Sequence, residues 1–195
     1  MRLYLLLLIC ATCSVVVDHN PNDTANRAFK FKNVPSPVKD DAAANAKLTL
    51  IDGQIDAGSA ELSALVDGRL PTDEDEPAAN LFFSAGSSGG RFRIDLGRTT
   101  EIAQINSYSW HPNSRGPQLY KLYAADDYES LDLNPKRGVD PATRGWKFIA
   151  TVSTLPQQGE DGGQYGVSHR QCRGSTRWHA PRQVLDPMLY DDEPR

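Results

Sequence analysis

The fold is decided by a seven-residue run that reads Arg91-Phe92-Arg93-Ile94-Asp95-Leu96-Gly97. In this run apolar side chains at positions 92, 94 and 96 alternate with charged side chains at positions 91, 93 and 95. A period of two places the apolar side chains on one face of an extended strand and the charged side chains on the other. The run therefore predicts a half-buried antiparallel strand with one face in water.

Further strands are predicted on both sides of this run. Apolar segments lie near 48–51, 81–83, 102–110, 119–124 and 146–152, with turn residues between them. In the last segment, the alternation predicts one shared side for Trp146, Phe148, Ala150 and Val152. The 15 glycines and 13 prolines suit short strands joined by tight turns.

The predicted fold class is all-β, an antiparallel, jelly-roll-like β-sandwich. About six strands can be counted before Gly166, whereas a jelly roll usually has around eight. The sandwich is therefore predicted to be incomplete, with its domain over residues 40–167.

The bulk composition argues against one class of function. The 195 residues carry a net charge of -4, with acidic and basic residues mixed along the chain. The sequence lacks the clustered Lys and Arg residues of a nucleic-acid-binding surface, so nucleic acid is not an expected partner.

The N-terminus has the pattern of a secretory signal peptide over residues 1–17. Met1-Arg2 provides a short positive start, and the apolar stretch 3–17 is shorter than the roughly twenty residues of a membrane span. This pattern predicts a secreted or cell-envelope protein with no membrane span in the mature chain. A lipoprotein signal at Cys10 or Cys13 is the alternative.

Two further segments are predicted to lie outside the sandwich. Residues 18–39 are polar and are predicted to form a flexible linker, in which Asn22-Asp23-Thr24 matches a glycosylation sequon. Residues 168–195 are predicted to form an irregular tail, with five arginines and no lysine. We interpret this tail as a candidate out-of-frame end, which predicts that deleting it does not worsen solubility.

Four motifs occur in the order found in a known family. They are Asp67-Gly68 after an apolar run, Phe92-Arg93-Ile94-Asp95-Leu96-Gly97, Tyr120-Lys121-Leu122-Tyr123-Ala124-Ala125-Asp126-Asp127 and Trp146-Lys147-Phe148-Ile149. Together they resemble the discoidin family, also called the coagulation factor five/eight type C domain, within the galactose-binding-like β-sandwiches. The closing strands of that family have no counterpart in the motifs found here, so the chain resembles a truncated member.

The resemblance implies a ligand site on loops at one end of the sandwich, where the chain varies over a rigid scaffold. The candidate loop carries Trp110, His111, Asn113 and Arg115. An aromatic ring can stack on the apolar face of a sugar while polar side chains bond its hydroxyl groups. The alternative is structural: Trp110 belongs to the core, and Arg115 holds the loop to Asp126 or Asp127.

The acidic loop near Asp67-Gly68 is the candidate metal site. Calcium prefers carboxylate and carbonyl oxygens, and the resemblance implies a calcium ion at the Asp-Gly loop, with Asp67 as a ligand. Asp73 and Asp75 of the acidic loop are further candidate ligands. A solvated acidic turn without an ion is the alternative.

The predicted function is recognition rather than catalysis. A grouping of Ser107, His111 and Asp126 lacks the nucleophile elbow and oxyanion loop of a hydrolase, so no enzyme is predicted. We expect an exported, non-catalytic module that binds carbohydrate, with a glycan or another cell-surface or matrix component as its partner. The alternative is a protein–protein adhesion domain or a structural domain without a small-molecule ligand.

Overall fold

A computed structural model describes residues 14–125, 131–156, 162–170 and 182–187. Within these ranges the longest helix is a five-residue 3-10 turn at Leu62–Val66, with shorter 3-10 turns at Pro77–Ala79 and Pro141–Arg144. The remaining regular structure consists of strands, which confirms the all-β prediction. They are β1 Ser14–Pro21, β2 Lys47–Asp52, β3 Arg91–Asp95, β4 Gln104–His111, β5 Leu119–Ala125, β6 Lys147–Ser153, β7 Gly163–Arg170 and β8 Arg182–Pro187.

The strands form two antiparallel sheets, and the molecule is a β-sandwich as predicted. The first sheet has three strands in the order β1-β7-β4, and the second has five in the order β2-β3-β8-β5-β6. Polar side chains connect the layers: the Ser107 hydroxyl on β4 lies 2.8 Å from the Tyr120 hydroxyl on β5. Among the described residues, no helix has the length and apolar character needed to cross a membrane.

Strand β3 has the apolar face that its alternation predicts. Phe92 and Ile94 are 3% and 6% exposed. The opposite face of the strand is not exposed to solvent, because Arg91 and Arg93 are buried as well. The prediction that this face lies in water is therefore wrong. The segment 131–140 covers them, so the charged face of the strand lies beneath a loop.

The two arginines hold that loop through its backbone. One guanidinium nitrogen of Arg91 donates to three carbonyl oxygens, those of Pro135 at 2.6 Å and of Lys136 and Val139 at 3.1 Å. Arg93 donates to the Leu133 carbonyl at 2.6 Å. Loop carbonyls thus replace water as acceptors for the buried terminal nitrogens of the two guanidinium groups.

A small apolar cluster lies beside these arginines. Ile51, Tyr123, Ala125 and Trp146 are buried together, and Leu131 from the loop packs against them. The indole N–H of Trp146 donates to the Asp132 carbonyl at 2.7 Å. The segment 131–146 is therefore a packed cover for the second sheet.

Strand β6 differs from its prediction at one residue. Ala150 and Val152 are buried, as is Trp146 just before the strand, but Phe148 is 48% exposed. The register passes from Leu122↔Ala150 to Tyr123↔Phe148, which leaves Ile149 as an extra residue. Beyond a β-bulge of this kind, alternate side chains point to the opposite face of the sheet. Phe148 and Ala150 therefore lie on different faces.

The structure also differs from the predicted boundaries at the N-terminus. Strand β1 begins at Ser14, within the predicted signal peptide, and pairs with β7 along its whole length. Residues 1–13 lie outside the described ranges.

The predicted linker 18–39 is packed rather than free. The Asp18 carboxylate accepts the backbone N–H groups of Asn33 at 2.5 Å and Val34 at 3.1 Å. Val34 is 2% exposed, and the Phe31 ring lies 5.8 Å from that of Tyr108 on β4. Gly166 of β7 gives Phe31 room, since a Cβ there would lie 2.8 Å from its ring. A few well-placed apolar residues suffice to dock a polar segment, which a composition argument does not detect.

The tail is the third difference. Residues 168–170 complete β7, and residues 182–187 form β8, which lies between β3 and β5. The sequence of β8 has only two adjacent apolar residues and no alternation. Backbone pairing with two neighbours defines this strand, and such pairing leaves no period in the sequence. The rest of the tail lies outside the described residues.

Candidate ligand-binding site

The candidate site lies where β4 ends and three loops meet. His111 is the last residue of β4, and its ring lies 5.8 Å from that of Phe82 in an edge-on arrangement. The guanidinium carbon of Arg115 lies 5.5 Å from the centre of the Phe82 ring. On the third loop, a carboxylate oxygen of Asp75 lies 4.0 Å from His111 Nε2. An aromatic ring, an imidazole, a guanidinium and a carboxylate are thus gathered at one end of the sandwich.

The loop after His111 is held in a compact shape by its own backbone. Gly116 N–H donates to the Asn113 carbonyl at 2.8 Å, and the Ser109 hydroxyl donates to the Gly116 carbonyl at 2.5 Å. Gly162 permits close approach from the other side, because a Cβ at that position would lie 2.3 Å from the Pro112 carbonyl oxygen. The exposed side chains of Asn113 and Arg115 therefore project from a fixed turn.

The environment of His111 favours the neutral form of its imidazole. Burial lowers its pKa below the ordinary value, and the nearby Arg115 charge lowers the pKa further, against a smaller opposing effect of Asp75. The backbone N–H of Asn113 donates to His111 Nδ1 at 3.3 Å. A neutral imidazole that accepts at Nδ1 carries its proton on Nε2. This N–H is on the Asp75 side of the ring, beyond direct hydrogen-bond distance of the carboxylate.

A ligand hydroxyl fits this gap chemically. It can accept from His111 Nε2 and donate to the Asp75 carboxylate, with each contact about 2.8–3.0 Å long. Arg115 and Asn113 add further donors, and Asn113 adds an acceptor. The half-buried Phe82 ring adds an apolar surface. Such a combination of one aromatic surface and several neutral or charged hydrogen-bonding groups suits a polyol.

Trp110 is not part of this group, although it is a predicted ligand residue. It is 5% exposed and lies on the face of β4 that also carries Tyr108, opposite that of His111, because side chains alternate along a strand. The structural alternative for Trp110 therefore holds. Arg115 is placed over Phe82, and the proposed partners Asp126 and Asp127 lie outside the described residues.

Phe82 is the residue that the sequence reasoning missed. The apolar run 81–83 predicts a short strand, and the structure has an isolated bridge between Phe83 and Ile55 at this place. The signal that could have found it is the pair of adjacent phenylalanines, since only one of two neighbours can face the core of a sheet. The sequence predicts Asp75 only as a metal ligand, because its proximity to His111 is a tertiary contact.

The three predicted calcium ligands do not form one group. Asp67 accepts the backbone N–H of Arg69 at 2.9 Å, Asp73 pairs with Arg27 at 3.4 Å, and Asp75 faces the site described above. Within the described ranges, no three His, Cys, Asp or Glu side chains are placed to hold a metal ion. Calcium takes six to eight oxygens, and calcium binding through Asp67 stays a prediction.

Comparison with known proteins identifies no family for the chain. No protein-family model matches it, and no curated protein is significantly similar to it. Among solved structures it is similar to "Crystal structure of SpGH29", with 12% identity and a TM-score of 0.36. The match covers 80% of this chain and 29% of that chain, so the chain spans less than a third of that protein. At this TM-score the likeness carries no conclusion about function.

Proposed function

We propose that this chain is an exported, non-catalytic recognition module of the discoidin type that binds carbohydrate through the site at Phe82, His111 and Arg115. The observation that carries the proposal is the convergence of these three side chains with Asp75 at the end of a rigid sandwich. In this binding mode the apolar face of a sugar packs against Phe82, and its hydroxyl groups bond His111 Nε2, the Arg115 guanidinium and the Asp75 carboxylate.

The discoidin assignment is supported by strand number and by motif order. The described residues form eight strands in two antiparallel sheets, which match the strand count of a jelly-roll double sheet. The Asp67-Gly68 motif, strand β3 with its Asp-Leu-Gly end, strand β5 and Trp146 follow one another as in the discoidin motifs.

Phe82, His111, Arg115 and Asp75 have binding roles in this proposal and no catalytic ones. Each acts as a hydrogen-bond donor or acceptor, or as a packing surface, without a change in covalent bonding. We expect modest affinity, because the site is shallow and a single sugar unit buries little surface. No turnover of nitrophenyl glycosides is expected under conditions in which binding is observed.

A glycan array probed with the purified protein tests the proposal, followed by calorimetry with Phe82→Ala and Arg115→Ala. We expect each variant to lose binding about tenfold or more, because each removes one of the principal contacts. The matched control is Phe148→Ala, which removes an exposed phenylalanine from the distant strand β6. A site variant that folds normally and binds as well as the unmodified protein would contradict the proposal.

The alternative function, protein–protein adhesion, has one observation in its favour. Val15 and Val17 on β1 and Phe148 on β6 are large exposed hydrophobic residues, and both strands lie at sheet edges within the described residues. Exposed apolar residues on edge strands favour contacts with other chains. A blank glycan array, together with self-association that Val15→Lys or Val17→Lys abolishes, would support this alternative.

A further inference from the structure

A cleft borders the acidic loop. Its volume is about 370 Å³, at the lower end of the range for small-molecule sites. Both polar and apolar residues line it, among them Asp67, Arg69, Leu70, Thr72, Glu76 and Ala79. A cleft of this composition offers a ligand hydrogen-bonding groups together with some apolar surface.

The polar groups of the cleft are held in place without a ligand. One carboxylate oxygen of Glu76 accepts the backbone N–H of Thr72 at 2.6 Å and its hydroxyl at 3.2 Å. One carboxylate oxygen of Asp67 accepts the backbone N–H of Arg69. In the part of the chain that the structure describes, the second oxygen of each carboxylate has no hydrogen-bond partner and can accept a ligand hydroxyl.

The cleft and the Phe82 site adjoin in the acidic loop. Asp75 faces His111, and the next residue, Glu76, lines the cleft. The end of this loop is fixed, since Asn80 donates from its side chain to the Glu76 carbonyl at 2.9 Å and Ala60 N–H donates to the Pro77 carbonyl at 3.0 Å. A ligand longer than one sugar unit can therefore contact both Asp75 and Glu76.

We infer that the cleft is a second sugar subsite, and that the ligand is an oligosaccharide of at least two units without acidic groups. This inference rests on the proposed function and narrows its ligand class. Asp67 and the acidic run 73–76 outnumber Arg69 and disfavour uronic acids and sulfated sugars, since like charges repel. Neutral hydroxyl groups can use donors and acceptors of both signs.

Calorimetry with a matched set of glycans tests the inference. The probes are the methyl glycosides of galactose, glucose, mannose and N-acetylglucosamine, and the neutral two- to four-unit oligosaccharides that end in each. The variants are Arg69→Ala and Glu76→Gln, with Glu74→Gln as the matched control on the same loop. All titrations contain EDTA, so that a calcium effect through Asp67 does not contribute.

We expect Arg69→Ala and Glu76→Gln to weaken oligosaccharide binding about tenfold, because each removes a charge-assisted hydrogen bond. Affinity for the methyl glycosides should not change, and Glu74→Gln should behave as the unmodified protein. Thermal melts identify any variant that fails to fold. If one of the two cleft variants fails to fold, the oligosaccharide affinity of the other variant tests the inference.

Two results would overturn the inference in different ways. Oligosaccharide affinity that both folded variants retain would exclude the second subsite and leave the proposed function intact. An unmodified protein that binds none of these glycans would exclude both.

Discussion

Trp110 and His111 are neighbours in the sequence, and β4 directs their side chains to opposite faces of its sheet. His111 therefore belongs to the loop site and Trp110 to the packed interior. A pattern of binding residue types in one loop cannot make this distinction, because the choice between the two faces depends on what covers each of them. Here the packed segment 18–39 covers the face that carries Tyr108 and Trp110.

The placement of Trp110 gives a prediction about stability. Trp110→Ala should lower the free energy of unfolding by about 3–5 kcal/mol, because it leaves a large cavity in a packed region. Trp110→Phe should cost less, since it keeps an aromatic ring and removes an indole N–H that is buried without a partner among the described residues. Urea denaturation of both variants is the measurement. Unchanged stability of Trp110→Ala would show that the side chain is not core.

A second residue-scale prediction concerns pH. Burial lowers the pKa of His111 and of His169. Between these lowered values and the ordinary value of about 6.5, the unfolded chain binds more protons than the folded chain. The contribution of these two groups to the free energy of unfolding should therefore be fully present above about pH 6.5 and decrease as the pH falls below that value.

Urea midpoints between about pH 7.5 and pH 5 measure this dependence. We expect His111→Gln to reduce the slope, and the double variant with His169→Gln to reduce it further. A slope that is the same in the unmodified protein and the double variant would be inconsistent with two neutral buried imidazoles.

At the scale of elements, β3 shows how a charged strand face is buried. Arg91 donates to three loop carbonyls, so removal of its guanidinium leaves buried acceptors without partners. We predict that Arg91→Met lowers the free energy of unfolding by about 2–4 kcal/mol. Arg98→Met, in the exposed turn after the strand, is the control and should change it by no more than about 0.5 kcal/mol. Chemical denaturation measures the stability of both variants. Equal stability of Arg91→Met and Arg98→Met would show that Arg91 does not hold the loop.

The antiparallel pairing of β2 with β3 depends on a close backbone approach between the end of β2 and the start of β3. Gly53 has a φ of +95°, and a Cβ there would lie 2.6 Å from Gly90 Cα. Gly86 also has a positive φ, of +72°, but a Cβ there meets nothing within 4 Å. Gly86→Ala should cost about 1–2 kcal/mol for backbone strain alone, and Gly53→Ala should cost about 1–3 kcal/mol more for overpacking. Thermal melts of the two variants test this order, and equal losses would contradict it.

For the whole molecule, the position of β8 is the decisive feature. It pairs with residues 92–95 of β3 and with residues 120–125 of β5. Deletion of residues 171–195 should therefore divide the five-stranded sheet and abolish cooperative unfolding. A chain that ends at Pro187 keeps all eight strands and is the comparison. The interpretation of the tail as an out-of-frame end predicts the opposite, that its deletion does no harm. An unchanged melting temperature after deletion of 171–195 would favour that interpretation.

The sequence by itself determined the fold class and the direction of several side chains. The alternation of apolar and charged residues indicates which side chains share one face of a strand, and Phe92 and Ile94 are therefore correctly predicted as buried. The residue types of one loop, taken with the discoidin resemblance, also predicted His111, Asn113 and Arg115 as binding residues, and the structure keeps these three together at the candidate site.

Only the tertiary structure decided the rest. It placed β8 inside a sheet, covered the charged face of β3 with a loop, and brought Phe82 and Asp75 to His111. These contacts join residues about thirty or more positions apart, and their energy comes from burial and from backbone hydrogen bonds between distant segments. Neither contribution has a period along the chain, so no local pattern in the sequence carries it.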